Sequence, residues 1–320
     1  MAKILIIGAG GQIGSELTIK LRDLYGKDNV IASDINYQNS EVVNSGLFEI
    51  VDAQDYASVK ICVDKHKIDT IYLLAAMLSA TGEKYPMKAW DLNMNSLFHV
   101  LNLAKDGIIK HVFWPSSIAV FGDTTPRTDT PQHTSMEPST VYGITKQVGE
   151  RWCEYYHDKY GVDVRSLRYP GIISWKTMPG GGTTDYAVEI FHQAILDQSY
   201  ESFLSKDTEL PMIFMDDAID ATVKIMQAPA DTVKIRSSYN LAAISFTPEM
   251  LSEIIKRHIP EFKMFYRPDF RQDIADSWPK SIDDSAARND WGWSHSFDLE
   301  AIAKEMLTQL GEKYKDTKKR

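Results

Sequence analysis

Cysteine is scarce in this sequence. The two cysteines, Cys62 and Cys153, lie far apart and lack the C-x-x-C spacing that is typical of zinc ligands. Neither a disulfide framework nor a structural zinc site is therefore expected, and a reducing, cytoplasmic compartment fits this composition best. The eight histidines include no H-x-x-x-H pair, so no metal site is predicted.

Positive charge and long apolar runs are also scarce. Lysine and arginine total 35 against 44 aspartates and glutamates, which gives a net charge of −9. This charge argues against nucleic acid or an anionic membrane surface as the main partner. The first apolar run, at 4–7, is far shorter than a signal sequence or a membrane span of about 20 residues, so it is predicted to be a buried strand.

Short apolar runs alternate with helix-length segments through the first half of the chain. Strands are predicted at 3–7, 29–33, 47–51, 69–74, 110–114 and 162–168, and helices at 12–25, 56–66, 86–105 and 139–160. This alternation is typical of βαβ units, in which helices cover a parallel sheet. We therefore predict an α/β fold with a Rossmann-type, doubly wound parallel sheet in residues 1–170.

Beyond residue 171 the alternation becomes less regular. Helices are predicted at 184–198, 216–227, 248–258, 283–290 and 298–314, with a short strand at 212–215. The glycine-rich segment 178–182 marks the change and is interpreted as a hinge. Residues 171–320 are predicted to form a smaller, mostly helical substrate-binding part, while parts of 212–242 complete the first domain.

A glycine-rich loop joins the first predicted strand to the first predicted helix. It contains Gly8, Gly11, Gln12, Ile13 and Gly14. Glycines in this context let the backbone turn tightly, so that a pyrophosphate can approach the N-terminus of the helix. Asp34 ends the second strand, where its carboxylate can bind both ribose hydroxyls and would repel a 2′-phosphate. A cofactor is therefore predicted to bind to residues 1–170, and its predicted identity is NAD.

Three side chains form a candidate catalytic set. Tyr142 and Lys146 lie four residues apart on a predicted helix, so both project from one face. The pKa of a free phenol is about 10, and a nearby ammonium and an oxidised nicotinamide both favour the phenolate. The pair can then take the proton of a substrate hydroxyl while hydride leaves its carbon. Ser117, at the end of the fifth predicted strand, is predicted to orient the reacting oxygen.

Together these motifs resemble the extended short-chain dehydrogenase/reductase family. The match includes the glycine spacing, the Tyr/Lys pair and a Ser-Ser-x-x-Val-x-Gly segment, in which Phe121 replaces the family's usual tyrosine. The resemblance implies that Lys146 also holds the nicotinamide ribose and that Tyr142 contacts the cofactor. It implies further cofactor contacts at Asp52, Ala53, Leu74, Ala75, Ala76, Asn93 and Ile172. It also implies a homodimer packed through 86–105 and 139–160.

Two loops narrow the resemblance. Segments 75–83 and 179–187, supported by 274–279 and 283–293, resemble the NAD-dependent L-threonine 3-dehydrogenases of the short-chain type. This implies zinc-independent oxidation of L-threonine to 2-amino-3-oxobutanoate in threonine catabolism. It implies substrate contacts at Ser79, Ser117, Tyr142, Gly180, Thr183, Thr184 and Trp278. Core packing is an equally good alternative for Trp278. Helix capping is an alternative for Thr183 and Thr184, and it is compatible with substrate contact.

Two other functions are open at this point. A nucleotide-sugar epimerase or dehydratase would share the glycine loop and the catalytic set, with Arg267 and Arg271 available for a diphosphate. Such enzymes commonly carry an asparagine soon after the sixth strand, whereas residues 171–239 contain none. A non-catalytic NAD-sensing module is disfavoured because Tyr142, Lys146 and Ser117 are all present.

Overall fold

The computed structural model describes residues 2–37, 39–178, 180 and 182–317. The strands are β1 (Ile4–Ile7), β2 (Val30–Asp34), β3 (Phe48–Ile50), β4 (Thr70–Leu73), β5 (His111–Ser117), β6 (Asp163–Tyr169), β7 (Gly171–Ile173), β8 (Ser199–Ser202), β9 (Leu210–Phe214), β10 (Tyr239–Asn240), β11 (Ile244–Phe246) and β12 (Lys263–Tyr266). The helices are α1 (Gln12–Tyr25), α2 (Ser40–Asn44), α3 (Tyr56–His66), α4 (Ser79–Lys84), α5 (Pro86–Lys105), α6 (Val141–Tyr160), α7 (Tyr186–Leu196), α8 (Met215–Gln227), α9 (Pro248–His258), α10 (Arg271–Asp276), α11 (Ser285–Trp291) and α12 (Leu299–Thr317), with a 3-10 turn at Ile118–Val120.

A parallel sheet of seven strands forms the centre of the molecule, in the order β10-β6-β5-β4-β1-β2-β3. Strand β1 pairs with β2 on one side and with β4 on the other. The order of strands therefore changes direction at β1, and a ligand crevice is expected outside the carboxyl ends of β1 and β4. This topology confirms the predicted α/β, doubly wound fold class.

Helices cover both faces of this sheet. Ile4 and Ile6 of β1 belong to one hydrophobic cluster with residues of α1 and α8. Leu5 and Ile7 belong to another cluster with residues of α3, α5 and α6. Because successive side chains of a strand point to opposite faces, the apolar run of β1 is buried on both sides. Gly149 brings α6 close to β5, since a Cβ there would lie 2.4 Å from the Trp114 ring.

The C-terminal part packs helices around two small sheets. Strand β9 pairs with β7 and β11, and β8 pairs with β12. The core of this part combines β9 with α7, α9 and α12. Here α7, α8, α9, α11 and α12 correspond to predicted helices, and β9 corresponds to the predicted strand at 212–215. The strands β7, β8, β10, β11 and β12 and the short helices α2, α4 and α10 were not predicted. None of the helices that the structure describes is both long and apolar enough to span a membrane.

Candidate active site

The glycine-rich loop after β1 is held in a tight turn. Gly8 has a φ of +90°, a backbone conformation that residues other than glycine rarely adopt. A Cβ at this position would also lie 2.6 Å from the Ala75 nitrogen. A Cβ at Gly14 would lie 2.2 Å from the Gly8 carbonyl oxygen. At Gly11 a Cβ would meet nothing closer than 3.5 Å. The loop therefore packs through Gly8 and Gly14 and leaves Gly11 on its open side.

The N-terminus of α1 and the Asp34 carboxylate lie beside this loop. No side chain within the described structure caps α1 at Gly11, and the first N–H groups of a helix have no partner inside the helix. Asp34 Oδ2 accepts a hydrogen bond of 2.9 Å from the Gly10 nitrogen. A close glycine backbone, open helix N–H groups and a nearby carboxylate fit the pyrophosphate and ribose of a dinucleotide.

The family resemblance places three further residues at the cofactor: Asp52 and Ala53, which follow β3, and Asn93, which lies on α5. Asp52 follows β3, and its Oδ1 accepts from the Gln54 nitrogen at 2.9 Å. Ala53 is buried next to it. Asn93 is buried on α5, where its Oδ1 accepts from the Met77 nitrogen at 2.8 Å and its Nδ2 donates to Met77 and α6. The Asn93 amide thus holds the segment after β4.

A cavity of about 360 Å³ opens at the carboxyl ends of the central strands. Its described walls include the predicted residues Gln12, Ile13, Leu74, Ala76, Ser79, Ser117, Tyr142, Lys146, Ile172, Gly180, Thr183, Thr184 and Trp278. They also include Leu78, Thr81, Pro115, Ser116, Tyr169, Pro170, Thr177, Met178, Gly182 and Asp185, which were not predicted. The predicted residues Gly8, Gly11, Gly14, Asp34, Asp52, Ala53, Ala75 and Asn93 lie outside these walls.

Several of the additional wall residues carry a signal in the sequence. Leu78 and Thr81 lie in the distinctive segment 75–83, Thr177 directly precedes the glycine-rich segment, and Met178 is the first residue of that segment. The predicted hinge at 178–182 also includes Pro179 and Gly181, which lie outside the described residues.

Strand β5 and helix α6 bring the three candidate catalytic side chains together. Ser117 ends β5 and forms a hydrogen bond with Tyr142 at the start of α6. The Lys146 ammonium lies 5.5 Å from the centre of the Tyr142 ring and donates to the Pro115 carbonyl at 2.5 Å. Gly143 permits this approach, since a Cβ there would lie 2.1 Å from a carbonyl oxygen of the 3-10 turn. Sequence spacing and strand position thus predict a set that the fold assembles.

Burial shifts the pKa of the tyrosine and of the lysine in opposite directions. It raises the pKa of Tyr142 to about 12, against the opposing effect of the Ser117 hydrogen bond. It lowers the pKa of Lys146 to about 7, against the opposing charges of Cys153 and Glu150. Without a further positive charge the phenol therefore stays protonated near neutral pH.

A buried ion pair lies behind the catalytic strand. Glu150 sits one turn after Lys146 on α6 and accepts from Arg168 Nε at 2.8 Å and from Nη2 at 2.7 Å. Ser116 Oγ donates to the same carboxylate at 2.6 Å, and Arg168 Nη1 donates to Asn240 Oδ1 at 2.9 Å. All four of these partners are buried. We call Ser116, Glu150, Arg168 and Asn240 the polar hub; it ties β5, β6, β10 and α6 together.

The cavity wall opposite the catalytic side chains carries small polar side chains. It presents hydroxyl groups from Ser79, Thr81, Thr183 and Thr184 and is bordered by the buried Trp278. Among the described wall residues, Lys146 is the only basic residue and Asp185 the only acidic one. In the part of the chain that the structure describes, no group of three or more His, Cys, Asp or Glu residues is arranged to hold a metal ion. The wall therefore suits a small polar molecule.

Comparison with known proteins gives a family and close structural relatives. A family model described as the NAD dependent epimerase/dehydratase family matches residues 4–242. An uncharacterized epimerase/dehydratase from Staphylococcus haemolyticus is 48% identical over 315 residues, which cover 98% of this chain and 99% of that protein. These matches confirm the predicted dependence on NAD.

Two solved structures are similar over nearly the whole chain. The GalE-like L-threonine dehydrogenase from Cupriavidus necator, in its holo form, has a TM-score of 0.94 and 54% identity, covering 96% of this chain and 99% of that chain. A monomeric L-threonine 3-dehydrogenase from a metagenome, in its apo form, has a TM-score of 0.92 and 48% identity, covering 96% and 98%. They confirm the resemblance to short-chain L-threonine 3-dehydrogenases.

Proposed function

Because the chain belongs to the NAD-dependent epimerase/dehydratase family, we propose that it oxidises the 3-hydroxyl of L-threonine to 2-amino-3-oxobutanoate, with NAD as the hydride acceptor, in threonine catabolism. The composition of the cavity wall carries this proposal. Several hydroxyl groups, one basic residue and one acidic residue around a small space suit a zwitterionic hydroxy amino acid. The similarity to solved L-threonine dehydrogenases supports the same substrate.

Three side chains of this cavity carry the proposed proton transfer. Tyr142 is the general base, and its phenolate oxygen takes the proton of the substrate's 3-hydroxyl. Ser117 forms a hydrogen bond with the same substrate oxygen and so orients it. Lys146 stabilises the phenolate with its ammonium group and contacts the nicotinamide ribose. NAD, when bound, supplies the hydride acceptor and a positive charge beside the phenol.

The remaining roles follow the position of each residue around the crevice. The proposed cofactor contacts, besides the catalytic pair, are Gly8, Gly11, Gln12, Ile13, Gly14, Asp34, Asp52, Ala53, Leu74, Ala75, Ala76, Asn93 and Ile172. The proposed substrate contacts, besides Ser117 and Tyr142, are Ser79, Gly180, Thr183, Thr184 and Trp278. We further propose that residues 1–170 with parts of 212–242 bind NAD and that 171–320 mainly bind substrate. The pairing of β10 with β6 supports this division.

The positions of two arginines weigh against a nucleotide-sugar substrate. Arg271 is paired with Asp269 at 2.6 Å, and its guanidinium carbon lies 3.2 Å from the centre of the Phe203 ring. Arg267 is exposed and lies near Glu201. Neither arginine belongs to the described cavity wall. A sugar-nucleotide diphosphate would therefore meet only one cation there, Lys146.

We also propose a homodimer packed through α5 and α6 in a cytoplasmic enzyme. Trp152, Tyr155 and Tyr160 are exposed on α6. The Trp152 ring contacts Phe98 of α5, with 5.0 Å between the ring centres. An aromatic strip that is exposed on α6 and continues to the half-buried Phe98 on α5 is typical of a protein interface. The cysteines Cys62 and Cys153 are free and buried, which supports a reducing compartment.

The experiment that tests the reaction follows NADH absorbance with NAD and a panel of alcohols. The panel contains L-threonine, L-allo-threonine, L-serine, 3-hydroxybutyrate and UDP-sugars. We expect turnover of L-threonine well above that of every other compound. No turnover of any amino acid, together with interconversion of a UDP-sugar, would refute the proposed substrate and leave only the cofactor assignment.

A further inference from the structure

The short helix α4 forms part of the cavity wall and packs against α5 and α6. Its six residues, Ser79–Lys84, are too few for a helix to be stable alone. Ser79 and Thr81 line the cavity, and α5 begins directly after Tyr85. The position of these two hydroxyls relative to the catalytic tyrosine therefore depends on contacts between α4 and other elements.

One side chain of α4 reaches the catalytic helix directly. Glu83 Oε1 accepts a hydrogen bond of 2.7 Å from the Val141 nitrogen. Val141 is the first residue of α6, and Tyr142 follows it. Among the residues that the structure describes, this is the only side-chain hydrogen bond between α4 and another element.

The contact uses a backbone group that α6 itself cannot satisfy. The first N–H groups of a helix lack partners within it, and a carboxylate there also interacts favourably with the helix dipole. The Thr140 hydroxyl accepts from the Gly143 nitrogen at 3.0 Å, which leaves the Val141 nitrogen for Glu83. Two separate acceptors thus cap the start of the helix that carries Tyr142.

We propose that Glu83 is a positioning residue that sets the distance between the α4 hydroxyls and Tyr142, and thereby the affinity for the substrate. The identity of that substrate rests on the proposed function. Glu83 does not belong to the described cavity wall, and its described hydrogen bond goes to a backbone nitrogen and not to a catalytic side chain. Its effect is therefore transmitted through the placement of Ser79 and Thr81. The effect should appear in the KM for L-threonine, whereas the glycine loop and Asp34, and with them the KM for NAD, should be unaffected.

The test compares Glu83→Ala with Glu83→Gln and with a matched control. The alanine variant loses the acceptor, and we expect the KM for L-threonine to rise about fivefold to tenfold, with kcat and the KM for NAD within about twofold of wild type. The glutamine variant keeps a carbonyl acceptor, and its KM should stay within about twofold of wild type. The control is Glu137→Ala, which removes an exposed glutamate that accepts instead from Thr124.

Hydrogen exchange gives a second readout that needs no turnover. In the free protein, Glu83→Ala should accelerate exchange of the amides in 79–84 and of Val141, while Glu137→Ala should not. Unchanged exchange in Glu83→Ala would overturn the proposal, as would an unchanged KM, a loss of kcat alone, or equal defects in the alanine and glutamine variants. If the wild type does not oxidise L-threonine, the proposed function fails, and the exchange comparison still decides whether Glu83 holds α4.

Discussion

Replacing Lys146 with methionine would separate the contribution of this residue to stability from its contribution to catalysis. The ammonium is buried, and burial lowers its pKa from 10.5 to about 7. Since a pKa difference of one corresponds to about 1.4 kcal/mol, keeping the charge inside the protein costs about 5 kcal/mol below neutral pH. Methionine has a similar length and no charge, so Lys146→Met should be more stable than wild type while losing activity.

The sign of the pH dependence follows from the lowered pKa. Between about pH 7 and pH 10.5 the unfolded chain still binds a proton at this lysine and the folded protein does not, so stability rises with pH. The titration of Lys146 should therefore raise the free energy of unfolding of the wild type by about 3 kcal/mol as the pH increases from 6 to 9. In Lys146→Met this contribution is absent. The advantage of the variant should fall from about 5 kcal/mol near pH 6 to about 2 kcal/mol near pH 9.

Urea unfolding at several pH values measures this difference. Subtracting wild type from Lys146→Met cancels the titration of every group that does not interact with Lys146, because both proteins share those groups. Lys159→Met, at an exposed position on the same helix, is the control and should show no such slope. Activity should fall by at least about 100-fold in Lys146→Met. A variant that is less stable than wild type near pH 6, or an advantage that does not change with pH, would refute the reasoning.

Three further predictions concern the base, the cofactor loop and the interface. Tyr142→Phe should lower kcat about 100-fold to 10,000-fold in the NADH assay while NAD binding, measured by calorimetry, stays near wild type; retained turnover would contradict its role. Gly14→Ala should lower the free energy of unfolding by about 1 to 3 kcal/mol and weaken NAD binding. Gly11→Ala should leave the free energy of unfolding within about 0.5 kcal/mol of wild type. Equal free energies of unfolding in urea for the two variants would contradict the packing argument. Trp152→Glu should shift sedimentation from dimer to monomer, and Phe270→Glu, at another exposed aromatic position, should not; a wild type that already sediments as a monomer would rule out the dimer.

The main sheet was predictable because each of its longer strands carries a local signal. Ile4–Ile7 is wholly apolar and buried on both faces, as parallel strands are. The two-residue strand β10 has no such signal, because it depends on pairing with β6, about seventy residues earlier in the chain. The start of α6 shifts from 139 to Val141 because Thr140 caps the helix.

The candidate site divides in the same way. Asp34, Ser117 and the Tyr142/Lys146 pair could be predicted because each follows a short motif at a strand end or a helix start. The bond from Glu83 to α6 could not, since its partners lie 58 residues apart and meet only when α4 packs on α6. The ion pair between Glu150 and Arg168 in the polar hub could not be predicted for the same reason. It joins a helix to a neighbouring strand, and no local sequence pattern indicates such a contact.

The polar hub has a consequence for the order in which the enzyme is completed during synthesis. Asn240 Nδ2 donates to the Asp283 carbonyl at 3.0 Å, so the hub is also held by a later segment of the C-terminal part. At about 5 to 20 residues per second, a ribosome reaches Asp283 about 6 to 23 s after it has added Arg168. Until then a nascent chain can pair Arg168 with Glu150 but cannot close the network around them. A chain that stops before residue 283 would therefore contain every strand of the main sheet. It would still lack the hydrogen bond from Asn240 to Asp283 that completes the network behind Ser117.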